Sequence, residues 1–228
     1  MKKKIIITGG LGYIGTELCK LYSGVSWNNT IIVIDNRFIS ERINQIRNWN
    51  MEFVYGDILD KNLIKKYCQD ADIVHHLAGI TEVPRTISES NESQDNKIKN
   101  IAKEGTQNIL DVISDKCKII FPSTHVVYEG VEKIKNEILE DEDVKPILAY
   151  SSSKALNEKQ IKNSGKNYVI LRLGSVYGYS TDTARIDIMP NLFSKITSQD
   201  GTIKLFAGGR QLKSLVPLID VARCFKEM

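Results

Sequence analysis

The chain predicts an α/β fold built on a doubly wound parallel sheet, with a small C-terminal lobe beyond residue 173. Short β-branched runs alternate with longer amphipathic, Lys/Glu-rich segments, which is the rhythm of βαβ units. Several of the short runs, such as Ile31-Ile32-Val33-Ile34, are apolar on both faces and suit strands covered by helices above and below. A glycine cluster separates the first strand from the first helix, as in Rossmann-type sheets.

In chain order the expected strands are Lys4 to Thr8, Thr30 to Ile34, Glu52 to Tyr55, Ile73 to Leu77, Lys118 to Phe121 and Tyr168 to Leu171. Helical spacing of apolar positions marks Gly12 to Tyr22, Lys61 to Gln69, Ile98 to Ile113 and Ala149 to Asn163. After Leu171 the rhythm gives way to a Gly/Tyr-rich turn at 174–179, a polar loop, a short helix near Pro190 to Ser198 and a strand-like piece at Thr202 to Phe206. Two units follow from this: residues 1–173 as the main sheet domain and 174–228 as a partial lobe.

Composition excludes several classes of function. With 31 basic and 28 acidic residues spread along 228 positions, the net charge of +3 forms no concentrated field for nucleic acid or a membrane surface. The apolar run after Lys2-Lys3-Lys4 is broken at Thr8-Gly9-Gly10, too soon for an export signal or a span. Cys19, Cys68, Cys117 and Cys224 lie too far apart for a local metal-ligand pair and read as reduced core thiols of a cytoplasmic protein. His75 and His76 are strand neighbours and point to opposite faces, so no metal site is expected.

The segment Ile5-Ile6-Ile7-Thr8-Gly9-Gly10-Leu11-Gly12-Tyr13-Ile14-Gly15 sets its glycines where a pyrophosphate needs backbone amides within reach and no Cβ in the way. Two registers are readable, Gly10-x-Gly12-x-x-Gly15 and Gly9-x-x-Gly12-x-x-Gly15. Asp35 follows the second strand, 20 residues beyond Gly15, at the spacing of a carboxylate that accepts hydrogen bonds from an adenosine ribose. Its charge repels a 2′-phosphate and favours NAD over NADP, although Arg37 stands two residues away. The competing reading is a structural glycine turn and an ordinary helix cap.

Tyr150-Ser151-Ser152-Ser153-Lys154 places a phenol and an ammonium on one helix face. A phenol titrates near pH 10 on its own, so a neighbouring cation that favours phenolate is what lets it act as a base near neutrality. Ser123-Thr124 ends a predicted strand, and active groups in open parallel sheets gather at the carboxyl ends of strands. A surface Tyr and Lys and a strand-end cap at Thr124 are the structural alternatives.

Taken in order, Thr8 to Gly15, Asp35-Asn36, Gly56-Asp57-Ile58, His76-Leu77-Ala78-Gly79, Ser123-Thr124 with Val127-Tyr128, Tyr150 with Lys154, and Leu171-Arg172 before Val176-Tyr177-Gly178 resemble the extended short-chain dehydrogenase/reductase family, in its NAD-dependent nucleotide-sugar epimerase/dehydratase branch. The resemblance runs from Lys3 to about Phe225. It implies that Gly9, Gly12, Tyr13, Ile14 and Gly15 wrap the pyrophosphate of NAD and that Asp35 and Asn36 hold the adenosine ribose. Asp57 and Ile58 then border the adenine, and Leu77, Ala78 and Gly79 line the path to the nicotinamide ribose. Tyr150 becomes the acid/base, Lys154 binds the ribose and lowers the phenol's pKa, and Thr124 orients the substrate hydroxyl. Thr81, together with Val83 and Arg85 of Val83-Pro84-Arg85-Thr86, is placed at the hexose, and Ser175 and Lys213 toward the substrate diphosphate.

The departures from the family pattern carry information. His125 and Val126 stand where dehydratases carry an Asp-Glu pair, which argues against 4,6-dehydration, and the Glu of decarboxylases is absent there too. Ser175 replaces a phosphate-binding Asn, Ala102 replaces another Asn, and Lys213-Ser214 replace an Arg-Asp pair. Family members usually continue well beyond the Arg210 to Ala222 segment, so the chain to Met228 is expected to be either a truncated piece of a longer protein or a short member with a reduced substrate lobe.

The reading that follows is an NAD-dependent nucleotide-sugar epimerase, acting at C4 of a UDP- or other nucleotide-linked hexose through a transient keto-sugar. A nucleotide-sugar reductase, dehydrogenase or dehydratase is the alternative enzyme, and a non-catalytic NAD-binding regulatory or scaffold protein is the alternative of another class. The resemblance also implies a homodimer through a four-helix interface formed by the segments near Ile98 to Ile113 and Ala149 to Asn163.

Overall fold

The computed structural model describes residues 2–81, 87–132, 137–180, 185–210 and 212–228. Six parallel strands form the main sheet: β1 (Lys4–Thr8), β2 (Thr30–Asp35), β3 (Glu52–Tyr55), β4 (Ile73–His76), β5 (Lys118–Thr124) and β6 (Asn167–Leu173). Their spatial order is β3-β2-β1-β4-β5-β6. The order reverses between β1 and β4, and the crevice at the carboxyl ends of those strands is where ligands bind in open α/β sheets.

Strand periodicity divides the core. Ile5, Ile7, Ile31 and Val33 face one side, with helices α1 (Tyr13–Tyr22) and α2 (Ser40–Asn48). Ile6, Ile32, Ile34 and Val74 face the other, with α3 (Lys61–Cys68), α4 (Glu92–Leu110) and α5 (Ala149–Asn163). Each buried isoleucine contributes about 1.5–3 kcal/mol, and a shift of one residue in register would move every one of them to the wrong layer. The two histidines obey the same alternation. His75 meets the Tyr22 hydroxyl at 2.8 Å on the α1 side, while His76 lies between the hydroxyls of Thr8 and Thr106 on the α4 side.

Helix α4 begins at Glu92, earlier than its apolar periodicity suggests, because the Asn91 side chain caps it and accepts from the amides of Ser93 and Gln94. Helix α2 carries only Ile43 and Ile46 as buried apolar residues, too few to stand out in a polar stretch.

Beyond residue 173 the structure departs from the expected pattern. The expected turn at 174–179 contains β7 (Ser175–Tyr177), which pairs in parallel with β8 (Leu215–Pro217) in a second, two-stranded sheet. The strand expected at Thr202 to Phe206 is absent: residues 201–205 are irregular, and a 3-10 turn covers Phe206–Gly209. Leu205 is 61% exposed, so no buried face rewards a strand there. Helix α6 (Met189–Thr197) has no fully buried residue. Helix α7 (Leu218–Glu227) instead places Leu218, Val221 and Phe225 in the core layer of α1.

Three of the four cysteines are buried core thiols as expected, but Cys224 on α7 is partly exposed. Among the described residues no helix is long and apolar enough to cross a membrane, and no three His, Cys, Asp or Glu side chains converge as metal ligands.

Candidate active site

The glycine loop joins β1 to α1 at the switch point. Gly9 has φ +70°, and a Cβ there would lie 2.7 Å from the amide nitrogen of Ala78, so the loop touches the chain leaving β4 directly. A Cβ on Gly15 would meet the Gly9 carbonyl oxygen at 2.5 Å, so α1 also packs onto the loop without a side chain between them. Gly12 is the N-cap and offers no side-chain acceptor, and no acidic residue stands in the first turn. Helical geometry then leaves the amides of Tyr13, Ile14 and Gly15 without intrahelical acceptors. This cradle of bare amides, on a loop that Gly9 and Gly15 let pack backbone against backbone, fits the pyrophosphate of a dinucleotide.

Asp35 closes the cradle. Its buried carboxylate accepts from the Leu11 amide at 2.9 Å, and from the amide and side chain of Arg37. The Asn36 amide donates to Asp57 Oδ2 at 2.9 Å, tying the ends of β2 and β3 together on the expected adenine side. The Ile58 side chain turns inward onto Gly105 of α4, and its carbonyl accepts from Asn108. Leu77 and Ala78 lie against the glycine loop, where the Ala78 amide donates to Thr8 Oγ1, while Gly79 is exposed.

Tyr150 and Lys154 share a face of α5, beside the end of β5. The Lys154 ammonium donates to the Pro122 carbonyl at 2.7 Å and stands 4.5 Å from the centroid of the Phe121 ring and 5.8 Å from that of Tyr150. Burial pulls the ammonium down to about 8, against the opposing pull of Glu158. The expected acidification of the phenol by Lys154 is not what this environment produces. Burial pushes Tyr150 above its ordinary value, and the cation that counters the rise is Arg185. Desolvation disfavours both charged forms, phenolate and ammonium alike.

Thr124 caps the 3-10 turn His125–Tyr128, accepting from the Val126 amide at 3.3 Å, and so serves as the strand-end cap that was its structural alternative. His125 Nδ1 lies 2.9 Å from the Leu173 carbonyl. A carbonyl only accepts, so Nδ1 is the donor of this contact.

Four contributors escaped the sequence reading. Glu129 Oε1 accepts from the amides of Ile147 and Leu148 at 2.6 and 2.7 Å and from the Ser151 hydroxyl, supplying from a distance the cap that α5 lacks locally. It thereby links the Thr124 turn to the helix turn that carries Tyr150. Glu158, four residues beyond Lys154, accepts from Ser123 Oγ at 2.5 Å and twice from Arg172, at 2.9 and 2.7 Å, joining α5 to β5 and β6. Its i,i+4 spacing from Lys154 was the available signal. Asn191 accepts from the Gly178 amide at 3.0 Å and donates to the Arg185 carbonyl at 2.9 Å, while the Tyr13 hydroxyl donates to the Gly178 carbonyl. The lobe is thus fastened to the start of α1, with Arg185 close enough to act electrostatically on both Tyr13 and Tyr150. No local pattern marks Asn191 or Arg185.

The residues expected to meet the substrate are less gathered. Thr81 is exposed beyond β4, Ser175 opens β7 with its amide donating to Ser214, and Lys213 is exposed before β8. Val83 and Arg85 lie outside the described residues.

Fold and site together define a dinucleotide-binding α/β protein with a tyrosine-lysine pair at the carboxyl edge of its sheet. The chain belongs to the NAD dependent epimerase/dehydratase family, whose sequence model matches residues 5–228. It is 31% identical to a putative UDP-glucose 4-epimerase of Methanocaldococcus jannaschii over 96% of this chain and 71% of that protein. It is also 31% identical to a dTDP-D-glucose 4,6-dehydratase of Dictyostelium discoideum over 77% of this chain, spanning 44% of that relative's length. The solved UDP-glucuronic acid 4-epimerase of Bacillus cereus, in complex with UDP-glucuronic acid and NAD, superposes with a TM-score of 0.78 at 26% identity, over 96% of this chain and 71% of that one.

Proposed function

We propose that the chain is an NAD-dependent nucleotide-sugar 4-epimerase, acting at C4 of a UDP- or other nucleotide-linked hexose through a transient keto-sugar. The observation that carries this reading is the anchoring of Lys154 to the end of β5 at the Pro122 carbonyl, which sets the Tyr150/Lys154 pair of α5 beside the carboxyl ends of the strands, the edge of the sheet from which the glycine loop also leaves β1. When bound, NAD supplies the hydride acceptor and donor, together with a cationic ring that favours phenolate over phenol. Gly9, Gly12, Tyr13, Ile14 and Gly15 hold its pyrophosphate, Asp35 and Asn36 its adenosine ribose, and Lys154 its nicotinamide ribose.

In this reading the Tyr150 oxygen takes the proton of the sugar C4 hydroxyl as C4 gives up its hydride, and returns a proton to the same oxygen as hydride is restored to the opposite face of C4, so the net redox change is zero. Thr124 Oγ1, placed by the turn it caps, orients that hydroxyl. Epimerisation is favoured over dehydration because His125, with its Nδ1 proton held by Leu173, stands where a dehydratase needs an acidic pair. The same reading includes a cytoplasmic setting and a homodimer built on α4 and α5, which already pack together through the Asn157 amide and the Ala102 carbonyl at 2.8 Å.

The test is conversion of UDP-glucose to UDP-galactose followed by NMR, with Tyr150→Phe alongside. Removing a proton-transfer group lowers turnover by about 10²-fold or more. Full turnover in Tyr150→Phe removes the residue from this role, and a stoichiometric consumption of added cofactor favours the reductase or dehydrogenase reading.

A further inference from the structure

The carboxylate expected to select NAD is already saturated. Asp35 is 5% exposed; its Oδ1 accepts from the Arg37 amide at 3.0 Å and from Arg37 Nε at 3.2 Å, and its Oδ2 accepts from the Leu11 amide at 2.9 Å and from Arg37 Nη2 at 3.4 Å. A carboxylate offers about four lone-pair sites, so these contacts fill it. The neighbouring Asn36 amide is committed to Asp57 and does not compete.

Two consequences follow from elementary electrostatics. The Asp35–Arg37 pair carries no net charge, so the repulsion an isolated carboxylate exerts on a phosphate is cancelled at this position. The guanidinium is also within reach of a ligand: the Arg37 side chain is 49% exposed, and the Cβ position of Gly12 lies 3.5 Å from its Nη2. Arg37 therefore stands at the rim of the pyrophosphate cradle, where α1 begins. A ribose hydroxyl that reaches Asp35 displaces the longest of the four contacts, the one from Nη2, and leaves the guanidinium short of a partner beside the ribose. A 2′-phosphate supplies that partner through charge-assisted, bidentate hydrogen bonds, and a 2′-hydroxyl does not.

We propose that Arg37 makes this cradle accept NADP as well as NAD, so that Asp35 does not confer the selectivity its position in the sequence suggests. The inference rests on the dinucleotide-binding part of the reading above and not on the identity of the sugar. It is tested by isothermal titration of the full chain, freed of bound nucleotide, with NAD⁺ and NADP⁺, for the wild type and for Arg37→Ala. The expected result is a wild-type Kd for NADP⁺ within about tenfold of that for NAD⁺, and a ratio that grows by about tenfold or more in Arg37→Ala, almost all of it from weaker NADP⁺ binding. Because Arg37 is half exposed, the substitution leaves the core intact, and the NAD⁺ titration of the same variant verifies that the cradle is still formed. A wild type that binds NAD⁺ but discriminates against NADP⁺ more strongly than that overturns the inference alone, as does a ratio unchanged by Arg37→Ala. A wild type that binds neither dinucleotide overturns the cradle reading itself, and this inference with it.

Discussion

Glu158→Gln is the substitution whose effect the structure constrains most tightly. Glu158 and Arg172 form a bidentate pair with side chains only 4% and 12% exposed. Burial alone pushes the Glu158 carboxyl up, but hydrogen bonds from Arg172 and Ser123 together outweigh it, and the net shift is downward. Replacing the carboxylate by an amide keeps the shape and leaves the Arg172 guanidinium buried without its counter-ion, which costs about 3–5 kcal/mol. For a chain of this size that lowers the unfolding midpoint by about 6–20 °C. Because the folded pKa is depressed, the stability the carboxylate contributes is present above its ordinary value of 4.5 and is lost as pH falls through the folded value. Wild type and variant should therefore converge in acid. Thermal unfolding by circular dichroism across pH reads both effects, and a double variant that also carries Arg172→Met should recover about 1–3 kcal/mol of the loss. A Glu158→Gln loss below about 1 kcal/mol at neutral pH, or strict additivity in the double variant, refutes the account of a desolvated, coupled pair.

Gly9→Ala forces a Cβ to 2.7 Å from the Ala78 amide at φ +70°, so it is expected to cost at least about 2 kcal/mol and to weaken NAD binding; unchanged urea unfolding would remove the close approach from the argument. Lys154, drawn down to about 8 from an ordinary 10.5, binds fewer protons folded than unfolded between those values, so its contribution makes stability rise with pH through that window. Lys154→Met abolishes that rise, and a pH–stability profile identical to that of the wild type would refute the shift.

Much of the fold was legible because it depends on local pattern. The strands from Lys4 to Leu173 and the helix over Ala149–Asn163 announce themselves by periodicity, and the glycines, Asp35 and the Tyr150/Lys154 spacing are short-range features of one segment each. Helix α2 was hidden because two buried isoleucines in a polar stretch make no period, and β7 and β8 because short strands acquire their identity only by pairing across nearly 40 residues.

The sequence by itself determined the layering of the sheet and the candidates for the cofactor and proton-transfer roles, since alternation and spacing follow from backbone geometry alone. Tertiary structure decided how charged those candidates are. It placed the Pro122 carbonyl against Lys154, Glu129 at the start of α5, and Arg185 near Tyr150. Burial and partners far apart in the chain fix the cost of a charge, and no reading of neighbouring residues contains either.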